Sequence, residues 1–418
     1  MTTDSSVGEN WAGTYRYGAR GIVSVRSAGE LVELVRTSHR IRALGTRHSF
    51  NDIADTSGIL VDLSGLRSDP EIDEERRRVT VPAGTSYGTL GRFLQARGWA
   101  LHNLGSLPHI SVAGACATGT HGSGATNQSL AASVCGIDMV TADGDVVHVG
   151  DSDPQFHGAV VALGALGIVI SLTLRIEPTF DVRQDVFVDM PWSGLGELDE
   201  IMKSAYSVSL FTRWMGTVDL VWTKSRSDEG APAPFGLGGA TLAIRPMSPT
   251  GDDPSNTTDQ CGVRGPWNEM LPHFRFDKIP SHGDEIQSEY FVAREVGLEA
   301  LNALERIGER FSPHLIVSEL RYVAADEMWL SPAYERDALA IHFTWQRHPS
   351  EVRALLGLIE ETLSPYQARP HWGKWFTTDV SHIARLYRRL PDFTALVDEF
   401  DPEGKFHNEF LSRVLSID

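Results

Sequence analysis

The sequence predicts an α+β protein of two domains, and three observations carry that expectation. The chain has 418 residues, which at about 150 residues per domain is long enough for two or three units. Up to Pro178 it alternates short strands and short helices around glycine-rich loops. From residue 285 onward, longer segments alternate apolar and polar residues, the period of antiparallel strands with unlike faces. The balance of 37 basic against 55 acidic residues gives a net charge of −18. Nucleic-acid binding needs a basic face and is not expected.

The elements follow in order. The opening MTTDSSVGENW has neither the cationic start nor the apolar core of a signal peptide. Cys116, Cys135 and Cys261 are scattered, giving neither a disulfide framework nor a CxxC metal pair; a cytoplasmic protein without a metal is expected. Ser27 and Glu30 make an S-x-x-E cap before a helix whose apolar side is Leu31, Val32, Leu34 and Val35. Strands are expected at 41–44, 58–63 and 78–81, the last leading into a helix at 89–96. Asp143-Gly144, between MVTA and DVVHV, predicts a hairpin. The uncharged stretch 158–174 changes period midway. It reads as a short helix, 156–163, turning at Gly164 into a buried strand at 168–176, and not as a membrane span. A mixed domain therefore ends near Pro178. Residues 225–267, rich in Gly, Pro, Ser and Asp, read as long loops, followed by a largely antiparallel sheet with helices such as 350–362.

Two segments concentrate small residues: ALGTRHS at 43–49 and LGSLPHISVAGACATGTHGSG at 104–124. Glycine lets backbone N–H groups converge on an anion, a nest for phosphates that needs no lysine; a set of tight turns would read the same way. No GxGxxG follows the first strand and no GxxxxGK[ST] occurs, so Rossmann and P-loop patterns do not apply. Gly84-Thr85-Ser86-Tyr87-Gly88 matches the G-x-S-x-G of a hydrolase nucleophile elbow. A helix cap by Thr85 or Ser86 explains it more simply.

The second domain holds a sharper pattern. Glu319 and Arg321 are two apart in SELR, and so are His342 and Thr344 in HFTW, while Gln287 lies between two glutamates. On strands each set shares one face. Together they offer acid, base, amide, hydroxyl and imidazole groups, which suits a substrate with several hydroxyls; a solvated sheet face gives the same alternation. Lys374 is embedded among aromatics in HWGKWF, either snorkelling or buried for a purpose.

In their order and spacing, NWAG at 10–13, LGTRHSFN, LPHISVAG, ATGTHGSG, GALGIV, QSEY, SELR, HFTW, RPHWGK and DPEGKF resemble the vanillyl-alcohol-oxidase type of FAD-binding flavoproteins. Within that type they resemble the bacterial alditol (xylitol/sorbitol) oxidases, over essentially the whole chain. The resemblance implies a PCMH-type FAD-binding domain at 1–178, a cap domain with a large antiparallel sheet at 179–366, and a C-terminal segment, 367–418, rejoining the first. It implies FAD joined covalently to His48. The cofactor segments it implies comprise Ala43, Leu44, Gly45, Thr46, Arg47, Ser49, Gly105, Ser106, Ser111, Gly114, Ala115, Cys116, Ala117, His121 and Val169. Ser106, Glu319, Arg321, His342 and Lys374 match polyol-binding and catalytic positions, with Gln287 and Thr344 on the same wall. Two residues depart from the pattern. Arg47 stands beside His48 where close relatives have glycine, and Gly105 replaces an alanine near the oxygen-reacting face of the flavin, leaving more room for O2.

The implied reaction passes hydride from C1 of an alditol to flavin N5, and O2 then reoxidises the flavin to give H2O2. Arg321 and Lys374 would stabilise the alkoxide. Glu319 would anchor the neighbouring hydroxyl, with His342, Thr344 and Ser106 reading the rest of the chain. The expected partners are a small polyol and O2, with no membrane, and the expected state is a monomer. Three alternatives stay open: an aldonolactone (gulonolactone-type) oxidase, a serine hydrolase using Ser86, and a noncatalytic FAD- or sugar-binding module.

Overall fold

The computed structural model describes residues 3–4, 7–66, 68–227, 237–278 and 285–415. Its first helix, Ala28–Thr37, begins where the cap was expected. The Ser27 side chain accepts from Glu30 N at 3.2 Å, and the Glu30 carboxylate accepts from Arg26 N at 2.9 Å. Leu31, Leu34 and Val35 turn into the core. This helix joins Gly21–Ser24 to Ile41–Leu44; both lie parallel to Ile59–Asp62 between them, and Thr3–Asp4 adds an antiparallel edge.

A second, antiparallel sheet runs in the order Glu71–Asp73, Arg78–Pro82, Ile168–Arg175, Val134–Val140, Val146–Gly150. The hairpin at Asp143-Gly144 closes its last pair, with Gly144 at φ +80°, a conformation that favours glycine. The uncharged stretch divides as its period suggests: helix Phe156–Val160, a turn with Gly164 at φ +72°, then the strand. Among the described residues no helix is long and apolar enough to cross a membrane.

The third sheet has nine strands. Its centre is Ser207–Thr212, Leu315–Val323, Ala338–Gln346 and Glu285–Ala293, each antiparallel to the next. On one face Tyr290, Leu320, Ile341, Phe343 and Trp345 are buried in the core beneath helices Gly297–Glu305 and Pro349–Leu363. Burying each aromatic there is worth about 2–3 kcal/mol, so this face sets the register, and the register places every polar residue on the other face. The 225–267 region is not all loop. Arg264–Pro266 and Thr241–Leu242 pair with Asp181–Pro191 as edge strands too short to show a period; residues 228–236 lie outside the described residues.

The chain then returns. Arg369–Pro370 pairs with Phe291 and Tyr290, and Ile41 N donates to Lys405 O at 3.0 Å. Asn408 Nδ2 donates to Ile53 O at 3.1 Å and to Asp55 O at 2.9 Å.

Candidate active site

A cavity of about 770 Å³ lies between the small-residue loops and the polar face of the nine-stranded sheet. The sheet wall follows from register. His342 faces Glu319 on one neighbouring strand and Glu289 on the other, and Thr344 faces Gln287. Arg321, two residues beyond Glu319, shares the face. Its Nη2 donates to Glu289 Oε1 at 2.7 Å, its Nε lies 3.6 Å from Glu319 Oε1, and its Nη1 reaches Ser106 Oγ at 3.4 Å. Burial alone would raise the pKa of both carboxyls. The Arg321 charge with His273 on Glu319, and His121 with Arg321 on Glu289, holds them below the usual carboxylate range. Both are carboxylates at neutral pH.

Lys374 reaches this wall from the returning segment. His371 N donates to Glu289 O and Trp375 N to Gln287 O, each at 2.9 Å, while Asn51 Nδ2 donates to the carbonyls of Trp372 and Lys374, each at 2.8 Å. The ammonium donates to Gln287 Oε1. Burial lowers the Lys374 pKa to about 8 against the pull of Glu289. Burial pushes the His342 pKa down, so it faces the cavity as a neutral ring, with Nδ1 3.6 Å from Glu289 Oε1 and Nε2 3.3 Å from Thr344 Oγ1.

The opposite wall suits a flat dinucleotide. Gly84 and Gly114 line it, and a Cβ on Gly114 would come within 2.8 Å of Ser111 Oγ and one on Gly84 within 2.9 Å of Leu63 O, so close packing keeps both positions free of side chains. His48 lines the cavity, stacked on Trp11 with ring centroids 5.0 Å apart, and its Nδ1 is buried without a partner. Burial, with the Lys374 charge, lowers its pKa to about 4, so the ring is neutral.

Residues 19–150 match the family model described as FAD binding domain, and residues 283–414 that of D-arabinono-1,4-lactone oxidase. Among curated proteins, the alditol oxidase of a Streptomyces species is 45% identical over 97% of this chain and 98% of its own length. The chain belongs to the alditol oxidase family. The L-gulono-1,4-lactone dehydrogenase of Mycobacterium tuberculosis is 30% identical over 98% of this chain and 99% of that protein. Cholesterol oxidase from B. sterolicum shares the fold, with a TM-score of 0.79 at 15% identity, covering 99% of this chain and 97% of that one. This alditol oxidase family member thus has the vanillyl-alcohol-oxidase fold and an FAD-binding domain.

Ala43, Leu44, Gly45, Thr46, Arg47, His48, Ser49, Gly105, Ser106, Ser111, Gly114, Ala115, Ala117, His121, Val169, Gln287, Glu319, Arg321, His342, Thr344 and Lys374 all line the one cavity. Cys116 does not. It sits on the far side of helix Val112–Ala117, packed in the core with its Sγ 3.5 Å from Tyr87 Oη, and burial pushes its thiol up to about 12. A cofactor segment read as a continuous run includes one residue that the helix turns away. Ser86 is a cap and not a nucleophile: its Oγ accepts from Thr89 N at 3.2 Å at the start of helix Tyr87–Gln95. Arg47 has φ +62°, which is why glycine suits its position, and its Nη1 is held on Val7 O at 2.8 Å and Glu9 O at 3.2 Å.

Two central residues were missed. Glu289 was visible as the second glutamate flanking Gln287 and accepts from Arg321 and His121, the latter at 3.2 Å. His273 lies in an aperiodic loop, 2.6 Å from Glu319 Oε1, where no motif or period marks it.

Proposed function

We propose that this protein oxidises the C1 hydroxyl of alditols such as xylitol and sorbitol to the aldose, with O2 reduced to H2O2 and FAD held covalently through His48. The observation that carries it is the sheet wall, where two buried carboxylates, a buried guanidinium and a lysine ammonium converge with neutral His, Gln and Thr side chains. A polyol presents donors and acceptors in alternation, and each loses water on entry; a wall of mixed groups replaces those bonds. The 45% identical alditol oxidase supports the same reading. When bound, FAD supplies the hydride acceptor and passes the electrons to O2.

The chain's own residues do the rest. Arg321 and Lys374 stabilise negative charge on the substrate oxygen as its proton passes to the neutral His342 ring on the same wall. Glu319 accepts from the neighbouring hydroxyl and aligns Arg321, while Ser106, His342, Thr344 and Gln287 fix the remainder of the chain. The domains are proposed at 1–178 and 179–366, with 367–418 as the returning segment, in a cytoplasmic monomer.

Anaerobic xylitol or sorbitol should bleach the visible absorbance of the purified protein within seconds. L-gulono-1,4-lactone tests the second reading, which the match of residues 283–414 to a lactone oxidase model favours. Faster bleaching by the lactone than by either alditol would overturn the first. Gly105 provides a separate test. A Cβ there would make ordinary contacts, at 3.6 Å to His121 O and 3.8 Å to Ile110 Cδ1, so alanine is accommodated. Gly105→Ala should leave reduction by xylitol unchanged and slow reoxidation by O2 about tenfold, a barrier change of about 1.4 kcal/mol. Stopped-flow mixing of the reduced protein with O2 measures it, and equal reoxidation rates would remove Gly105 from oxygen access.

A further inference from the structure

We infer that His273 is a positioning residue of this site. Its side chain holds the Glu319 carboxylate while its backbone holds Ser106, so one short segment fixes two polyol contacts at once. The inference rests on the polyol reading above. His273 Nε2 lies 2.6 Å from Glu319 Oε1, and the backbone N–H groups of His273 and Phe274 donate to Ser106 O at 3.1 and 3.3 Å.

Three features make this a brace and not a chance contact. The ring stands edge-on to Phe211 and Trp222, with centroids 5.7 and 5.2 Å away, which fixes its plane. Its Nδ1 is buried without a partner, and burial keeps the ring neutral. A neutral imidazole has a single N–H; the carboxylate at Nε2 therefore sets the tautomer, with the proton on Nε2. Behind the ring, the buried Lys224 Nζ donates to the carbonyls of Met270, Leu271 and Pro272, which lie 2.6, 2.8 and 2.6 Å away. That anchors the segment immediately preceding His273, so the loop that carries the brace is itself clamped to strand Thr217–Arg226. The charged and titratable groups facing Glu319 are Arg321, His273, His342 and, more distantly, Lys224 and Lys374.

The test uses the FAD-loaded enzyme with His273→Leu and His273→Gln. Losing a hydrogen bond to a charged acceptor should raise KM for xylitol about 10- to 100-fold in His273→Leu, with a smaller change in kcat. With one donor gone, Glu319 takes up a proton more readily, so the acid limb of the kcat/KM profile should move to higher pH. His273→Gln, whose amide reaches the same oxygen, should recover most of both. Wild-type KM and an unmoved acid limb in a fully flavinylated His273→Leu would overturn the assignment. If that variant fails to take up FAD, 15N-histidine NMR of the wild type decides. A His273 signal, identified by its loss in His273→Gln, should be the neutral Nε2–H tautomer; an Nδ1–H tautomer or an imidazolium overturns it. Failure of every polyol to reduce the wild-type protein would instead defeat the proposed function, leaving the tautomer result readable on its own.

Discussion

Replacing Lys374 by methionine is expected to lower kcat for xylitol about 10²- to 10³-fold, the usual loss on removing one donor from a developing oxyanion. FAD content and KM should change far less. The substitution removes the ammonium's bond to Gln287, but Asn51 still holds the carbonyls of Trp372 and Lys374 and Trp375 N still donates to Gln287 O, so the backbone around it stays fixed. The wild type should show a matching pH effect. Lys374 is charged below about 8, so kcat should fall as pH rises through that value, and the variant should lack this limb. Steady-state kinetics from pH 6 to pH 10 read both. Turnover within a factor of about two of wild type would take Lys374 out of the mechanism. Arg321 is the less clean target. Its guanidinium sits between Glu289 and Glu319, and removing it takes the shared counter-charge from two buried carboxylates, leaving them only their histidine partners, a cost of about 3–5 kcal/mol to the fold itself.

The same contrast explains what the sequence disclosed. Strand faces were legible because alternation has a period of two and the buried aromatics Phe343 and Trp345 can face only inward; His342 and Thr344 then face outward together. Helix starts at Ser27 and Ser86 were legible because a hydroxyl accepting from the third residue on is a local bond. Cys116 was misplaced because small residues in a helix carry no apolar stripe to show which way each one faces. His273 was invisible because nothing local specifies it. Its place depends on Lys224, forty-nine residues earlier, and on Glu319, forty-six later. Loops that carry function are fixed by distant partners, and a single sequence does not reveal such pairings.

His48→Ala should convert a tethered cofactor into a dissociable one. After acid precipitation the wild-type pellet should stay yellow; the variant's pellet should be colourless and its supernatant yellow. The ring's environment argues for the tether. Burial and the nearby Lys374 charge keep the imidazole neutral above about pH 4, so its nitrogen lone pair is available throughout the working range. Trp11, stacked 21° from parallel, holds the ring in place. The loss of that stack costs the fold about 0.5–1.5 kcal/mol, small against the stability of a chain this size, so the variant should still fold and bind FAD. An unactivated primary alcohol is a poor hydride donor, and a histidyl link withdraws electrons from the flavin and makes it a stronger oxidant. Without it, reduction by xylitol should slow at least about tenfold, equivalent to about 1.4 kcal/mol in the barrier. Anaerobic stopped-flow on the reconstituted variant measures this step apart from reoxidation. A wild-type pellet that loses its colour in acid would show that the imidazole only packs against the flavin, and the oxidising power would then have to come from the charged groups around Lys374.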